Sequence, residues 1–133
     1  MNCENILKLV PKNKFDNSTL QELMNLEETE VQIILPQLFG WIADMNWPIA
    51  KDMLKVLAKF PDSLVPLIKN ALGETETDDI LKYWIILELL PRLPEHTQHL
   101  LTNDIERICN NPTRNELAEE IYEQAQHYLK RFK

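Results

Sequence analysis

Glycine is scarce in this sequence, whose 133 residues include 2 glycines against 8 prolines. Hairpin-rich β proteins use glycine at turns that need positive φ, so this composition argues against an all-β fold and suits helices that end at prolines. Cysteine is equally scarce. Cys3 and Cys109 are too few and too widely separated for a disulfide scaffold or a zinc knuckle, so we expect two reduced thiols.

The chain also lacks long apolar runs and an excess of basic residues. Its longest uninterrupted apolar runs, such as residues 84–87, are far shorter than the ~20 residues needed to cross a bilayer. No signal-peptide pattern opens the chain, which predicts a cytoplasmic protein with no membrane partner. The formal net charge is -7, from 14 Lys and Arg against 21 Asp and Glu. This charge repels phosphate backbones and favours basic partners, so we expect no nucleic-acid ligand.

What the chain does contain is typical of one globular domain. Hydrophobic residues make up 44% and charged residues 26% of the sequence, and the length fits a single domain with a real core. We therefore predict one domain over residues 1–133. Residues 1–17 hold a short apolar cluster followed by a polar stretch, and they read as a lead-in segment that docks or frays.

Apolar residues recur at steps of three and four along most of the chain, the spacing of one helical face. Capping boxes at Ser18 with Gln21 and at Thr113 with Glu116 mark two helix starts, and Gly73 is placed to end a helix in a left-handed conformation. The fold class predicted is all-α, with about 6–7 helices. The helices are expected over about 18–26, 28–44, 48–59, 61–72, 79–90 and 113–132, with a less regular stretch between the last two.

A repeat of roughly thirty residues relates the helices. The segment that begins Leu35-Pro36 aligns with the one that begins Val65-Pro66. Neither helix of such a pair can bury its apolar stripe alone, which predicts a stack of antiparallel helix pairs. The stretch from 35 to 58, LPQLFGWIADMNWPIAKDMLKVLA, is similar to the HEAT pattern, although the arginine usual early in the second HEAT helix is missing and the third unit aligns poorly.

Three blocks of the chain resemble the hallmark blocks of a known family. They are PKNKFDN (11–17), LPQLFGWIADMNWPIAK (35–51) and KYWIILELLPRLP (82–94). The family is the one catalogued as domain of unknown function 5071, and the resemblance spans nearly all of the chain from Pro11 onward. It implies a HEAT-like fold and a bacterial source, and it carries no activity over to this chain.

The candidate binding residues form two groups that equivalent positions of the repeat would bring together. The first group lies at the break after the 28–44 helix and the second in the 79–90 helix. The eight residues are Trp41, Asp44, Asn46 and Trp47, and then Lys82, Tyr83, Trp84 and Glu88. Tryptophan is the residue most enriched in interface hot spots, so the groups predict a partner-binding groove. The alternative is that the tryptophans are core, that Asp44 caps the next helix, and that Lys82 and Glu88 are satisfied charges.

Two function classes stay open at this point. The preferred one is a non-enzymatic module that binds a protein through exposed parts of Trp47, Asp44 and Lys82; a specific version is an immunity-type protein whose acidic surface neutralises a basic toxin. The alternative is a hydrolase or glycosylase-like enzyme with Asp44 and Glu88 as a carboxylate pair in a concave pocket and Lys82 as their electrostatic partner. We expect no cofactor and no metal, since no phosphate-binding loop or metal motif is present and His96 with His99 lack a third ligand.

Overall fold

The structure of the protein, a computed structural model, describes residues 2–75 and 78–132. Within these two ranges all regular secondary structure is helical and no strand occurs, which confirms the all-α prediction. The described residues form eleven α-helices, more than the six or seven predicted. The predicted 28–44 and 113–132 helices are each two helices, and three more (Cys3–Leu7, Glu95–Leu100 and Thr102–Asn110) lie where no regular helix was predicted. The chain divides into two compact units, Met1–Leu64 and Val65–Lys133.

The first unit consists of short helices joined by tight turns. These helices are α1 (Cys3–Leu7), α2 (Leu20–Met24), α3 (Glu28–Val31), α4 (Leu35–Gly40), α5 (Ala50–Leu57) and the start of α6 (Pro61–Ala71). Helix α5 packs against α2 and α4, and α1 packs against α3. The core of this unit includes Leu23, Leu38, Ile42, Met53 and Leu54, none of which exposes any surface.

The second unit contains the longest helix and one irregular helix. Its elements after α6 are α7 (Asp79–Trp84), a π-helical segment (Ile85–Leu89), a 3-10 turn (Leu90–Arg92), α8 (Glu95–Leu100), α9 (Thr102–Asn110), α10 (Arg114–Ala118) and α11 (Ile121–Phe132). Helix α11 packs against α9, α7 and the π-helical segment. Leu89, Ile105, Ile108, Ile121 and Ala125 are fully buried and form the core there.

Proline explains why the predicted 28–44 helix is two helices. Pro36 is the second residue of α4. It has no N–H to donate to the carbonyl of Gln32, and its ring would clash with that carbonyl in a continuous helix. The chain therefore ends α3 at Val31, turns, and starts again at Leu35. The apolar spacing identified the buried face correctly, since Val31, Ile34, Leu35, Leu38 and Ile42 are all buried.

Two predicted helix ends are wrong. Ser18 does not cap α2, because its hydroxyl donates to Asp16 Oδ1 at 2.6 Å, and the residue before α2 is Thr19. That hydrogen bond and those from the backbone N–H groups of Lys12 and Ser18 lower the pKa of Asp16. Gly73 does not adopt positive φ.

The capping box of Thr113 with Glu116 is present as predicted. The lead-in segment docks through Ile6, which is 1% exposed.

Glu120 breaks the predicted 113–132 helix, with a φ of 64° between α10 and α11. A left-handed residue other than glycine costs about 1–2 kcal/mol because its Cβ crowds the carbonyl oxygen. We expect Glu120→Gly to raise the free energy of unfolding by about 0.5–1 kcal/mol, the relieved strain less the entropy that glycine adds to the unfolded chain. Denaturant unfolding of the wild type and of Glu120→Gly measures this difference in the free energy of unfolding. Glu119→Gly is the matched control and should destabilise, because Glu119 has a φ of -100°; a loss of stability in both variants would contradict the prediction.

Within the described ranges, none of the helices has the length and apolar composition that crossing a membrane requires.

Candidate functional site

The first predicted group surrounds one turn of the first unit, between α4 and α5. We call residues 41–48 the aromatic turn. The rings of Trp41 and Trp47 lie 5.6 Å apart with their planes at 72°, an edge-to-face contact. Both side chains are half-buried, and Asn46 is exposed. An edge-to-face aromatic pair of this kind adds about 0.5–1.5 kcal/mol beyond its buried area, so the two rings hold one another in place.

Asp44 fixes the backbone of the aromatic turn. Its Oδ1 accepts a hydrogen bond from the N–H of Asn46 at 2.9 Å, and its carbonyl accepts from the N–H of Trp47 at 3.1 Å. Asp and Asn favour turns because their short side chains can bond to the backbone two residues on. Asp44 therefore positions Trp47 and does not cap a helix.

The lead-in segment makes a second contact with this part of the chain. The N–H of Ile49 donates to the carbonyl of Lys14 at 3.0 Å, which sets Phe15 beside the end of the aromatic turn. Phe15 is 68% exposed, and the Lys14 ammonium lies 5.4 Å from the centre of its ring. The sequence reasoning missed Phe15. The signal was there, since Phe15 is the lone large apolar residue in the polar run KNKFDN.

The second predicted group lies in α7 and the π-helical segment of the second unit. Tyr83 and Trp84 are half-buried and make an edge-to-face contact with ring centres 5.0 Å apart. Glu88 is 37% exposed at its side chain, and its carboxylate lies 3.8 Å from the guanidinium of Arg92, which is 43% exposed. An exposed i, i+4 pair of this kind contributes only about 0.3–0.5 kcal/mol.

Lys82 corrects the sequence prediction, which placed it on an exposed contact surface. Its side chain is fully buried, and its Nζ lies 2.8 Å from Oε2 of Glu116, which is fully buried as well. Asp79 Oδ1 lies 3.9 Å from the same ammonium. Lys82 is therefore part of the core, and its side chain does not lie on the exposed surface that the sequence predicted.

Glu116 is the centre of a buried charge cluster, by which we mean Lys82, Arg107 and Glu116. The Arg107 guanidinium binds Glu116 through two parallel hydrogen bonds of 2.5 and 2.7 Å, and it also donates to the carbonyl of Leu72 at 2.7 Å. Glu116 closes the capping box of α10 as well, since its Oε1 accepts from the N–H of Thr113 at 2.8 Å. One carboxylate thus joins α7, α9 and the start of α10.

The pKa values in this cluster follow from burial and the two cations. Burial raises the pKa of Glu116, but the hydrogen bonds from Arg107, Lys82 and the Thr113 N–H outweigh it and hold that pKa at about 2, below its ordinary value of 4.5. Burial raises the pKa of Asp79, while the nearby Lys82 ammonium opposes the rise. Glu116 is therefore ionised at neutral pH, and its charge is matched inside the unit.

The contacts bear on the enzyme alternative too. Lys82, cast as the electrostatic partner of Asp44 and Glu88, is instead bound to Glu116, so that role is wrong. Asp44 lies in the first unit and Glu88 in the second. Among residues 2–75 and 78–132, no group of three or more His, Cys, Asp or Glu side chains is arranged to hold a metal ion. His99 is exposed and contacts the ring of Phe132 with ring centres 4.8 Å apart.

Fold and site together define an all-helical protein with buried charges in one unit and half-exposed tryptophans in each. The chain belongs to the family described as Domain of unknown function (DUF5071), whose model matches residues 9–129. No curated protein matches the chain.

Proposed function

We propose that the chain is a non-enzymatic, protein-binding module of the cytoplasm, built on a HEAT-like stack of helix pairs. Helix α4, the aromatic turn and α5 support this architecture, because the two helices pack against each other on either side of the turn. A helix pair of this kind is consistent with the two-helix unit proposed from the thirty-residue period. Stacked helix pairs present extended surfaces that such proteins use to bind partners.

The observation that carries the proposal is the pair of half-exposed tryptophans on a turn pinned from two sides. Asp44 holds the turn through the N–H of Asn46 at 2.9 Å, and Lys14 holds its far end through the N–H of Ile49 at 3.0 Å. Rigid aromatic side chains lose little conformational freedom on binding and are enriched in hot spots. Trp41 and Trp47 form a preorganised aromatic contact surface, and Phe15, which is 68% exposed, directly follows the Lys14 that bonds to the end of the turn.

The acidic balance of the chain supports a partner with a basic surface. A net charge of -7 attracts cationic proteins over long range, and a basic toxin bound by an immunity-type protein would be one such partner. An association rate that falls steeply with added salt would support the basic partner, and a salt-independent rate would contradict it.

Tyr83, Trp84 and Glu88 remain candidates for a second contact region, but Lys82 is no longer a candidate because it is buried.

We expect Phe15→Ala and Trp47→Ala to reduce recovery of the partner from native cells, each by a factor of roughly 30 or more if they are hot spots worth 2 kcal/mol. The measurement is quantitative co-purification, with the partner identified beforehand as the protein that the wild-type chain recovers and a tag-only control does not. Asp44→Ala should reduce recovery because it frees the turn. Asp44→Asn should reduce it less, because the amide oxygen can still accept from the N–H of Asn46.

Leu100→Ala is the matched control for Phe15→Ala, since Leu100 is 55% exposed and lies in α8, outside both candidate contact regions. It should leave recovery unchanged. Recovery that stays at the wild-type level in both Phe15→Ala and Trp47→Ala would remove the aromatic turn from the contact surface.

A further inference from the structure

The second unit holds a concave region that the proposed function does not use. A depression of about 240 Å³ is lined by Pro91, Gln98, Tyr128, Arg131 and Phe132. An engineered cavity of about 150 Å³ is enough to hold benzene, so this depression has room for one six-membered ring with a small substituent. Its walls are two aromatic rings and a proline, which suit an apolar or aromatic body.

A second concavity shares Arg131 with the first. It measures about 470 Å³ and is lined also by Leu87, Gln124, His127 and Lys130. No Asp or Glu lines either one. Within residues 2–75 and 78–132, Arg131 and Lys130 make no ion pair with any carboxylate, in a chain whose net charge is -7. Two unpaired cations beside an apolar depression favour an anionic ligand.

The wall of the smaller depression is held in place before any ligand arrives. Gln98 is fixed at both ends, because its Nε2 donates to the carbonyl of Leu93 at 2.8 Å and its Oε1 accepts from the Tyr128 hydroxyl at 2.5 Å. The Phe132 ring stacks on Tyr128 with centres 5.5 Å apart and planes at 18°. A preformed wall saves the entropy that ordering the site on binding would otherwise cost.

The backbone beside these concavities is irregular. Leu87 belongs to the π-helical segment and Pro91 to the 3-10 turn that follows it. Pro91 would clash with the carbonyl of Leu87 in a continuous α-helix, and the helix switches to the wider π form directly before it. Single-turn π segments occur frequently at functional sites. The two concavities, the two unpaired cations and the π-helical segment therefore lie together beside α11.

We propose that this region binds a small organic anion with a single ring. The ring lies against Phe132, Tyr128 and Pro91, and a carboxylate or phosphate group pairs with the guanidinium of Arg131, with Lys130 nearby. Arg131 is suited to this role because its planar guanidinium presents paired N–H donors that match carboxylate and phosphate oxygens. The site lies in the second unit and the aromatic turn in the first, so the two proposals rest on different residues.

The test is titration of the full chain with phenyl phosphate and with 3-phenylpropionate, followed by amide chemical shifts and by calorimetry. We expect saturable amide shifts at residues 87–90 and 124–132. Arg131→Gln should weaken binding roughly tenfold, because it loses a charge-assisted pair. Arg114→Gln makes the same charge change at an exposed position in α10 and should bind as the wild type does. Benzylamine, which has the ring but a positive charge, should not bind.

Three results would overturn the proposal. One is the absence of saturable shifts at these residues with both anions. Another is equal binding of benzylamine and phenyl phosphate, which would remove the role of charge. The third is an Arg131→Gln variant that melts at a lower temperature but binds phenyl phosphate unchanged, because Arg131 would then only complement the dipole at the end of α11.

Discussion

Glu116→Gln should lower the free energy of unfolding by about 3–5 kcal/mol, the cost of leaving a buried charge without its partner. Glutamine keeps the size of the side chain and can still close the capping box with Thr113. The substitution therefore removes the charge and also replaces the oxygen that accepts from Lys82 and Arg107 with an NH2 donor, while the backbone cap is kept. It leaves the fully buried Lys82 ammonium with Asp79 at 3.9 Å as its nearest carboxylate. Urea or guanidinium unfolding, compared with the wild type at pH 7, gives the difference directly.

Two further variants control this measurement. Asp104→Asn removes the same kind of charge from the exposed pair in which Lys69 Nζ lies 2.9 Å from Asp104 Oδ2, and it should cost no more than about 1 kcal/mol. Lys82→Met combined with Glu116→Gln should cost less than Glu116→Gln alone, since no unpaired ammonium is left in the core. A Glu116→Gln cost that equals that of Asp104→Asn would show that the buried charge cluster contributes no more than a surface pair.

The pKa of Glu116 also predicts how the difference in unfolding free energy between the wild type and Glu116→Gln changes with pH. This pKa is about 2 in the folded state against an ordinary 4.5, so the stabilisation is fully present above about pH 5. It is lost as the pH falls toward 2, because the unfolded chain takes up the proton first. The difference between about 2 and 4.5 corresponds to roughly 3 kcal/mol. The gap in stability between wild type and Glu116→Gln should therefore narrow with falling pH; a gap that stays constant would contradict this assignment.

Ile49→Ala should cost about 2–5 kcal/mol of stability, the range for truncating a buried Ile, Leu or Met side chain to alanine. Ile49 is 1% exposed and directly follows the aromatic turn. Its side chain anchors the start of α5, and its N–H donates to the carbonyl of Lys14 at 3.0 Å. The measurement is again denaturant unfolding.

Ile80→Ala makes the identical chemical change at a site that is 58% exposed. It should change stability by no more than about 0.5 kcal/mol, as surface substitutions do. Equal losses in Ile49→Ala and Ile80→Ala would mean that burial does not decide the cost, and the description of the first unit's core would be wrong.

Helical periodicity predicted the fold class and most of the buried faces because apolar spacing follows directly from which side of a helix is covered. Met53, Leu54 and Leu57 lie on one face of the predicted 48–59 helix and are fully buried. Helix ends were harder to predict. Pro36 was read as the start of a repeat and not as a break, and nothing in the residue type of Glu120 distinguishes a left-handed position from the helical glutamates around it.

The candidate site likewise contains residues that the sequence could predict and one that it could not. Trp41, Asp44, Asn46 and Trp47 were predicted as one group, and local sequence suffices there because the four residues lie within seven positions of the chain. Lys82 could not be assigned, since its partner Glu116 is 34 positions away and lone lysines are usually exposed. The sequence identified Glu116 only as a cap. A contact between residues so far apart in the sequence produces no periodic pattern that sequence analysis could detect.

We propose that exposed aromatic side chains bind the partner while the buried charges maintain the fold. The most direct test is to measure partner recovery and unfolding midpoint together for Phe15→Ala and for Glu116→Gln, at a temperature where both are folded. We expect Phe15→Ala to lose the partner while keeping the wild-type midpoint, and Glu116→Gln to lower the midpoint while keeping the partner. Full recovery by Phe15→Ala, with loss of the partner confined to Glu116→Gln, would contradict the claim.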